Sequence, residues 1–370
     1  MPPVTIDGTS GITTPMYGGA ISSNAVTPVV GMKNRIINGA CVIDQRNAGA
    51  SVTITNTSAS TYTLDRWFGY GTVASKFSMQ QNAGSVTPPI GFTNYLGCTS
   101  LSAYSVGSGD LFQFSQNIEG FNTADLQWGS ANAKTVTLSF WVRSSLTGTF
   151  GGSLTNGAAD RSYPYSYTIS SANTWEYKTI TVAGDTTGTW VGATNGIGLR
   201  VRFSLGAGST FSATANTWAT GDYIQPTGAT SVVGTNGATF YITGVQLEVG
   251  STATSFDYRP YGTELALCQR YYETLGFGLL GVANSSTGIW AQMLFKVQKR
   301  ATPTVGLYTA TQTWGQFGVA NRNSSSVSIG DSANTNTSGS ISRIEGFSSM
   351  TANAPLGCLT DIVFTLSAEL

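Results

Sequence analysis

The chain has 370 residues, with 18 Lys+Arg balanced by 18 Asp+Glu and no histidine. Charged residues are 10% of it, against about 25% in an ordinary soluble domain, while hydrophobics reach 41% and aromatics 11%. This composition excludes a solvated disordered chain. It also excludes the clustered cations that nucleic acid or anionic membrane requires, and every chemistry that uses histidine as base or metal ligand.

Residues 1–33 are rich in Gly, Thr, Pro and Ser with scattered Val and Ile, and they have no helical period. They read as an extended arm that cannot bury its own apolar side chains and so needs a partner surface. The arm has neither the basic nor the apolar region of a signal peptide. DGTSG (Asp7–Gly11) reads as a turn and not a phosphate loop, because no GK[ST] follows.

From residue 34 to about 260 the texture is constant. Short β-branched and aromatic runs alternate with Gly/Asn/Ser/Thr clusters, the pattern of strands and turns. The clearest runs start at Ser51, Leu111, Thr135, Tyr163, Trp175, Gly198 and Thr239. In the Thr135 run, Val136, Leu138, Phe140 and Val142 share one face, with Thr137, Ser139, Trp141 and Arg143 on the other. In the Gly198 run, Leu199, Val201, Phe203 and Leu205 oppose Arg200, Arg202 and Ser204. Such alternation predicts antiparallel sheets with one buried face, arranged as a β-sandwich of jelly-roll type.

GTELALCQRYYETL (Gly262–Leu275) is the best helical segment, although a strand starting at Cys268 fits its residues equally well. Residues 261–370 then return to β texture, with runs from Gly288, Thr302, Ser326, Ser338 and Thr360. The expected fold is therefore all-β. It comprises an extended N-terminal arm (1–33), a jelly-roll β-sandwich (34–260) and a smaller C-terminal antiparallel β domain (261–370). Cys41, Cys98, Cys268 and Cys358 form no C-x-x-C pair and read as buried, reduced thiols. No run approaches 18 apolar residues, so no membrane insertion is expected. The chain reads as soluble and made in the cytoplasm.

The acids (Asp44, Asp65, Asp110, Glu119 and others) are scattered with no local pair of the kind glycoside cleavage needs. No catalytic residue, metal or cofactor is expected. Glycan recognition instead uses aromatic faces beside planar polar groups. Two segments offer both. Ala159–Tyr167 carries Asp160, Arg161, Tyr163 and Tyr165, with Trp190 and Trp218 in the same module. Thr309–Ser326 carries Trp314, Phe317, Asn321, Arg322 and Asn323 on a predicted loop or hairpin. The basic cluster Lys296, Lys299 and Arg300 is too small for nucleic acid and reads as a solvated strand end.

Three segments together resemble bacteriophage tail-fibre and related virion structural proteins. They are Ile6–Pro15 with Met32–Ser51 and Tyr62–Trp67; Phe240–Glu273, containing QLEVG and ELALCQRYYE; and Lys299–Tyr308. The resemblance implies a virion component, usually homotrimeric, that contributes to host recognition. Leu111–Gly120, Thr137–Ser145, Asn173–Gly184 and Phe240–Gly250 also resemble jelly-roll carbohydrate-binding modules. Many of those carry an acid near a structural calcium in the closing strand, where this chain has Thr243–Gly244.

The expectation is a receptor-binding tail fibre, located in the virion tail, that attaches to host surface glycan. Residues 1–33 would dock on tail or baseplate proteins, and residues 261–370 would form the tip. The alternatives are a non-receptor virion protein (head decoration, collar or baseplate adaptor) and a polysaccharide depolymerase.

Overall fold

The protein was analysed as a computed structural model, which describes residues 5–7, 11–13, 32–309, 311–318, 321–324, 326 and 328–370. Residues 1–33 and 34–370 are separate compact units. In the first, Thr5–Asp7 pairs antiparallel with Gly11–Thr13, placing Ile6 opposite Ile12. The other residues of the expected arm up to residue 31 lie outside the described ones.

The second unit is all-β apart from one α-helix and short 3₁₀ turns. Strands of four residues or more are numbered here in chain order. Ten build the sandwich: β1 (Phe68–Gly71), β2 (Phe77–Gln81), β3 (Leu96–Ser100), β4 (Leu111–Glu119), β5 (Val136–Ser144), β6 (Gly148–Thr155), β7 (Arg161–Ile169), β8 (Glu176–Val182), β9 (Ile197–Ala207) and β10 (Thr239–Val249). One sheet runs β7-β6-β9-β4-β1, with two-residue strands at its edges, and the other runs β8-β5-β10-β3-β2 with Val52–Thr53 at its edge. All these pairings are antiparallel.

The predicted alternation is what faces the core. Leu138, Phe140 and Val142 of β5 and Leu199, Val201 and Phe203 of β9 are buried in one apolar cluster with Trp67, Phe114 and Phe240. Phe114 and Phe203 stack at 5.1 Å, and Phe140 meets Phe203 edge-on at 5.1 Å. The closing strand β10 bulges between Thr243 and Gln246. Gly244 there adopts φ +61, and a Cβ on it would strike the Phe92 ring.

Gly262–Leu275 resolves into both predicted forms in succession. The helix α1 (Tyr261–Gln269) is followed by β11 (Tyr272–Gly276). The C-terminal module continues with β12 (Leu280–Ala283), β13 (Gly288–Leu294), β14 (Thr304–Leu307), β15 (Gln312–Gln316), β16 (Asn321–Ser324), β17 (Ser328–Thr335), β18 (Gly339–Glu345), β19 (Pro355–Cys358) and β20 (Ile362–Ser367). A three-stranded sheet β11-β20-β14 accompanies a seven-stranded sheet β16-β15-β19-β12-β13-β18-β17. Both contribute to a second apolar core that includes Ile289, Met293, Trp314, Leu356 and Phe364.

Between the two cores lies a buried ionic junction, in which Arg46, Arg66, Arg270 and Lys299 of the tail-fibre-like segments meet carboxylates that include Glu119 and Glu369 from outside them. Glu119 accepts two hydrogen bonds from Arg270 (2.6 and 3.0 Å) and one from the Tyr271 hydroxyl (2.8 Å). Glu369 accepts from Arg46 at 2.7 Å and pairs with Arg66. The Arg66 guanidinium lies 3.5 Å from the centre of the Tyr271 ring, and that of Arg46 lies 3.6 Å from the Tyr272 ring. Lys299 pairs with Glu273, and both are fully buried. The Lys299–Arg300 cluster is therefore not a solvated strand end. Arg300 donates to the carbonyls of Asn195, Ala368 and Glu369. The four cysteines are buried and unpaired, and no helix among the described residues is long and apolar enough to cross a membrane.

Candidate functional site

The polar half of the same alternation builds a groove on the outer face of the β7-β6-β9-β4-β1 sheet. On β4, Gln113, Ser115 and Asn117 point away from the core, and on β9 Arg200, Arg202 and Ser204 do so. The register sets them side by side: Tyr70 opposite Gln113 and Phe68 opposite Ser115. On the other side of β4, Gln113 lies opposite Ser204, Ser115 opposite Arg202, and Asn117 opposite Arg200. Gln113 to Asn117 spans roughly 13 Å along the strand. The groove encloses about 420 Å³. One bank carries Phe68 and Tyr70. The other is the loop bearing Phe211, Asp222 and Ile224, held down by Ser204 donating to Gln225 at 2.6 Å and by the Arg202–Asp222 ion pair.

The sheet beneath this groove keeps several buried polar atoms without a partner among the described residues. Gln113 Oε1, Ser115 Oγ, Asn117 Oδ1, Arg200 Nε and Arg202 Nε are buried without a hydrogen-bond partner, five of twelve such atoms among the described residues. Gln113, Ser115, Asn117 and Arg202 are at most 7% exposed. Unpaired buried polar atoms cost about 1–3 kcal/mol each, so native proteins keep few of them. These atoms include acceptors (the two amide oxygens), donors (the two Nε–H groups) and one hydroxyl. Burial, then the neighbouring Arg202 charge, pulls the Arg200 guanidinium below its ordinary value. Among the described residues Arg200 has no carboxylate partner, and it donates to the Gly157 carbonyl at 2.8 Å.

The opposite sheet carries a larger hollow of about 580 Å³, walled by Phe92, Trp141, Tyr177, Phe256 and Tyr258. Among the described residues lining it, none has a buried polar side-chain atom without a partner.

The residues expected at the site are dispersed. Trp314 is fully buried in the C-terminal core, where its indole N–H donates to Gln312 Oε1 at 3.0 Å. That corrects its assignment to a binding surface: on β15 the Trp314 face is the inward one. Phe317 is exposed, and Asn321, Arg322 and Asn323 follow on β16, the return strand of the predicted hairpin. Residues 319–320 at its tip lie outside the described ones.

Tyr165 is also a core residue, and Tyr163 is nearly so. The Tyr165 hydroxyl donates to the Arg202 carbonyl at 2.6 Å, crossing Gly152, where a Cβ would stand 2.4 Å from that hydroxyl. Asp160 is exposed in the turn before β7, accepting from Asn156 Nδ2 at 2.5 Å. Arg161 forms a two-pronged pair with Asp185 (2.7 and 2.8 Å). Burial raises the Asp185 carboxyl, but the Arg161 and Thr187 hydrogen bonds outweigh it and hold the carboxyl below its usual range.

Trp190 and Trp218 are half-buried and interlock edge-on with Trp128, the ring centres 4.8–5.5 Å apart. Their indole N–H groups are taken by Asp185 or Thr187 and by the Ala183 carbonyl. This knot therefore closes one margin of the sandwich core.

No group of three or more acidic or cysteine side chains among the described residues could hold a metal ion. In β10, Thr243 donates to the Asn94 carbonyl at 2.7 Å.

Fold and groove define an antiparallel β-sandwich with a polar, aromatic-rimmed cleft, joined to a second β module. No family model and no curated protein matches the sequence. Among solved structures, the enzymatically active domain of tailspike protein 4 from bacteriophage CBA120 is similar at TM-score 0.31 and 13% identity. The match covers 59% of this chain and only 22% of that one. The family 11 carbohydrate-binding module of the Clostridium thermocellum cellulase Lic26A-Cel5E scores 0.26 at 10% identity, over 56% of this chain and 99% of that one. The tandem CBM22-1–CBM22-2 of Paenibacillus barcinonensis Xyn10C scores 0.27 at 10% identity, over 88% and 100%.

Proposed function

We propose that this protein binds glycan through the groove over β1, β4 and β9, and that it does so as the receptor-binding tail fibre of a bacteriophage. The observation that carries glycan binding is the cleft itself, in which the polar side chains of Gln113, Asn117, Arg200 and Arg202 lie between two aromatic banks. Sugar hydroxyls would meet these side chains, while Tyr70 and Phe211 offer ring faces on the banks. The virion assignment rests on the sequence resemblance of Ile6–Pro15, Phe240–Glu273 and Lys299–Tyr308 to tail-fibre proteins. In this reading residues 1–33 attach to tail or baseplate proteins, copies of the chain associate, and the groove moves the principal sugar site from the tip to the body.

Binding without cleavage is part of the proposal. Among the described residues lining the groove, Asp222 is the one carboxylate side chain, and Arg202 neutralises it. Hydrolysis needs two carboxylates about 5–10 Å apart. Weak single sites would be strengthened by multivalency. The test is adsorption: purified protein should block attachment of the phage to its host, and host surface polysaccharide should relieve the block without shortening. Normal attachment in saturating protein contradicts the reading, and shortened polysaccharide chains would favour the depolymerase instead.

A further inference from the structure

The outer face of the seven-stranded C-terminal sheet carries a broad set of exposed apolar side chains, with the amides Asn321 and Asn323 on its edge strand β16. Its inward positions fill the second core, so register alone assigns the opposite set. Leu280 stands opposite Gln292 and Val282 opposite Trp290 across β12 and β13. Ile341 of β18 stands opposite Gln292, and Leu294 opposite Gly339. On the far side Gly315 and Gly357 pair across β15 and β19. A Cβ on Gly357 would lie 3.8 Å from the Phe317 ring, and one on Gly315 would lie 3.4 Å from Leu359. Phe317 and Leu359 therefore lie over this same face.

Leu280, Val282, Leu294, Phe317, Ile341 and Leu359 are 44–70% exposed. Six such side chains present on the order of 500 Å² of apolar surface, the size at which a patch marks an interaction site. With Trp290 and Pro355 between them, the face approaches the ~800 Å² that each partner contributes to a stable interface.

We propose that this face is where copies of this chain meet. The charges on it fit a second copy. Arg343 and Glu345 sit together on β18, paired with each other and half-exposed, and Arg343 Nε is buried without a partner. A copy related by rotation presents the same cation and anion, so each sign can meet its opposite across the interface. The remainder is apolar and matches itself. A glycan would find Gln292 as the one planar amide among the outward residues of β12, β13 and β18, the other two amides, Asn321 and Asn323, standing apart on the edge strand β16. The inference stands whether or not the groove binds sugar.

The experiment is the molar mass of the full chain in solution by light scattering, alongside Leu280→Glu/Leu294→Glu and, as a milder pair, Leu280→Ser/Phe317→Ser. The wild type should have at least twice the 38.7 kDa of one chain. Either variant, if its circular dichroism and melting are those of the wild type, should fall to one chain. A wild type of one chain at micromolar concentration overturns the proposal, including the case in which another protein covers the face. So does a folded variant that keeps the wild-type mass.

Discussion

At the scale of single residues the protein spends stability on polarity. Each unpaired atom under the groove costs about 1–3 kcal/mol, and the sheet keeps five of them in one place. Asp65 carries a similar cost at the ionic junction. Burial pushes its carboxyl up to about 6 from 3.8, against the lowering pull of Arg46 and of the bonds from Gln45. A raised carboxyl favours the protonated folded state. Its contribution is fully present below about pH 4 and is lost as pH rises through 6, by up to about 3 kcal/mol. Denaturant titrations of wild type and Asp65→Asn from pH 4 to 7 should therefore show a stability difference that changes across this window. A constant difference would contradict the assignment. Burial likewise pushes the Cys41 thiol up to about 12 and that of Cys358 up to about 11. Native protein at pH 8 should leave all four cysteines unlabelled by a thiol reagent within minutes, and unfolded protein should label four.

At the scale of elements, the strands with strict alternation were legible in the sequence, and β6, with a glycine pair at its centre, was not. The runs at Thr135 and Gly198 became β5 and β9 with the expected faces inward, and the run at Leu111 became β4. β6 was missed because Gly151 and Gly152 break its pattern. Those glycines are there for close approach: a Cβ on Gly152 would stand 2.0 Å from the Arg202 carbonyl oxygen. Gly152→Ala should lower the unfolding free energy by about 1–3 kcal/mol, read as a lower denaturant midpoint with unchanged slope, and an unchanged midpoint would contradict the packing. The site was legible only in part. Attention to aromatics in polar loops selected Trp314 and Tyr165, whose strands turn them inward. The stronger signal was the outward set Gln113, Ser115, Asn117, Arg200 and Arg202, which carries too much hydrogen-bonding capacity for a merely wetted face. That signal needs the pairing of β4 with β9, two strands nearly ninety residues apart in the chain.

At the scale of the whole molecule, Arg46, Arg66, Arg270 and Lys299, from the parts of the resemblance segments that lie within residues 34–370, meet at the junction of the two cores. Removing the Glu369 side chain leaves Arg66 buried without its carboxylate, a loss of about 3–5 kcal/mol. Glu369→Ala should split thermal unfolding into two calorimetric transitions, one per core, and a single transition at the wild-type temperature would contradict the junction's part in coupling them. The groove opens beside that junction, where Asn117 Nδ2 donates to the backbone oxygen of Leu370 at 2.9 Å. The central claim is that the groove floor binds sugar. Its most direct test is equilibrium titration of host surface oligosaccharide into wild type and into Gln113→Ala/Asn117→Ala, with folding checked by melting temperature. Loss of both amides should weaken binding at least tenfold, which is about 1.4 kcal/mol, while Trp314→Phe leaves it unchanged. Equal affinity in the wild type and the double variant would place the sugar elsewhere and contradict the account.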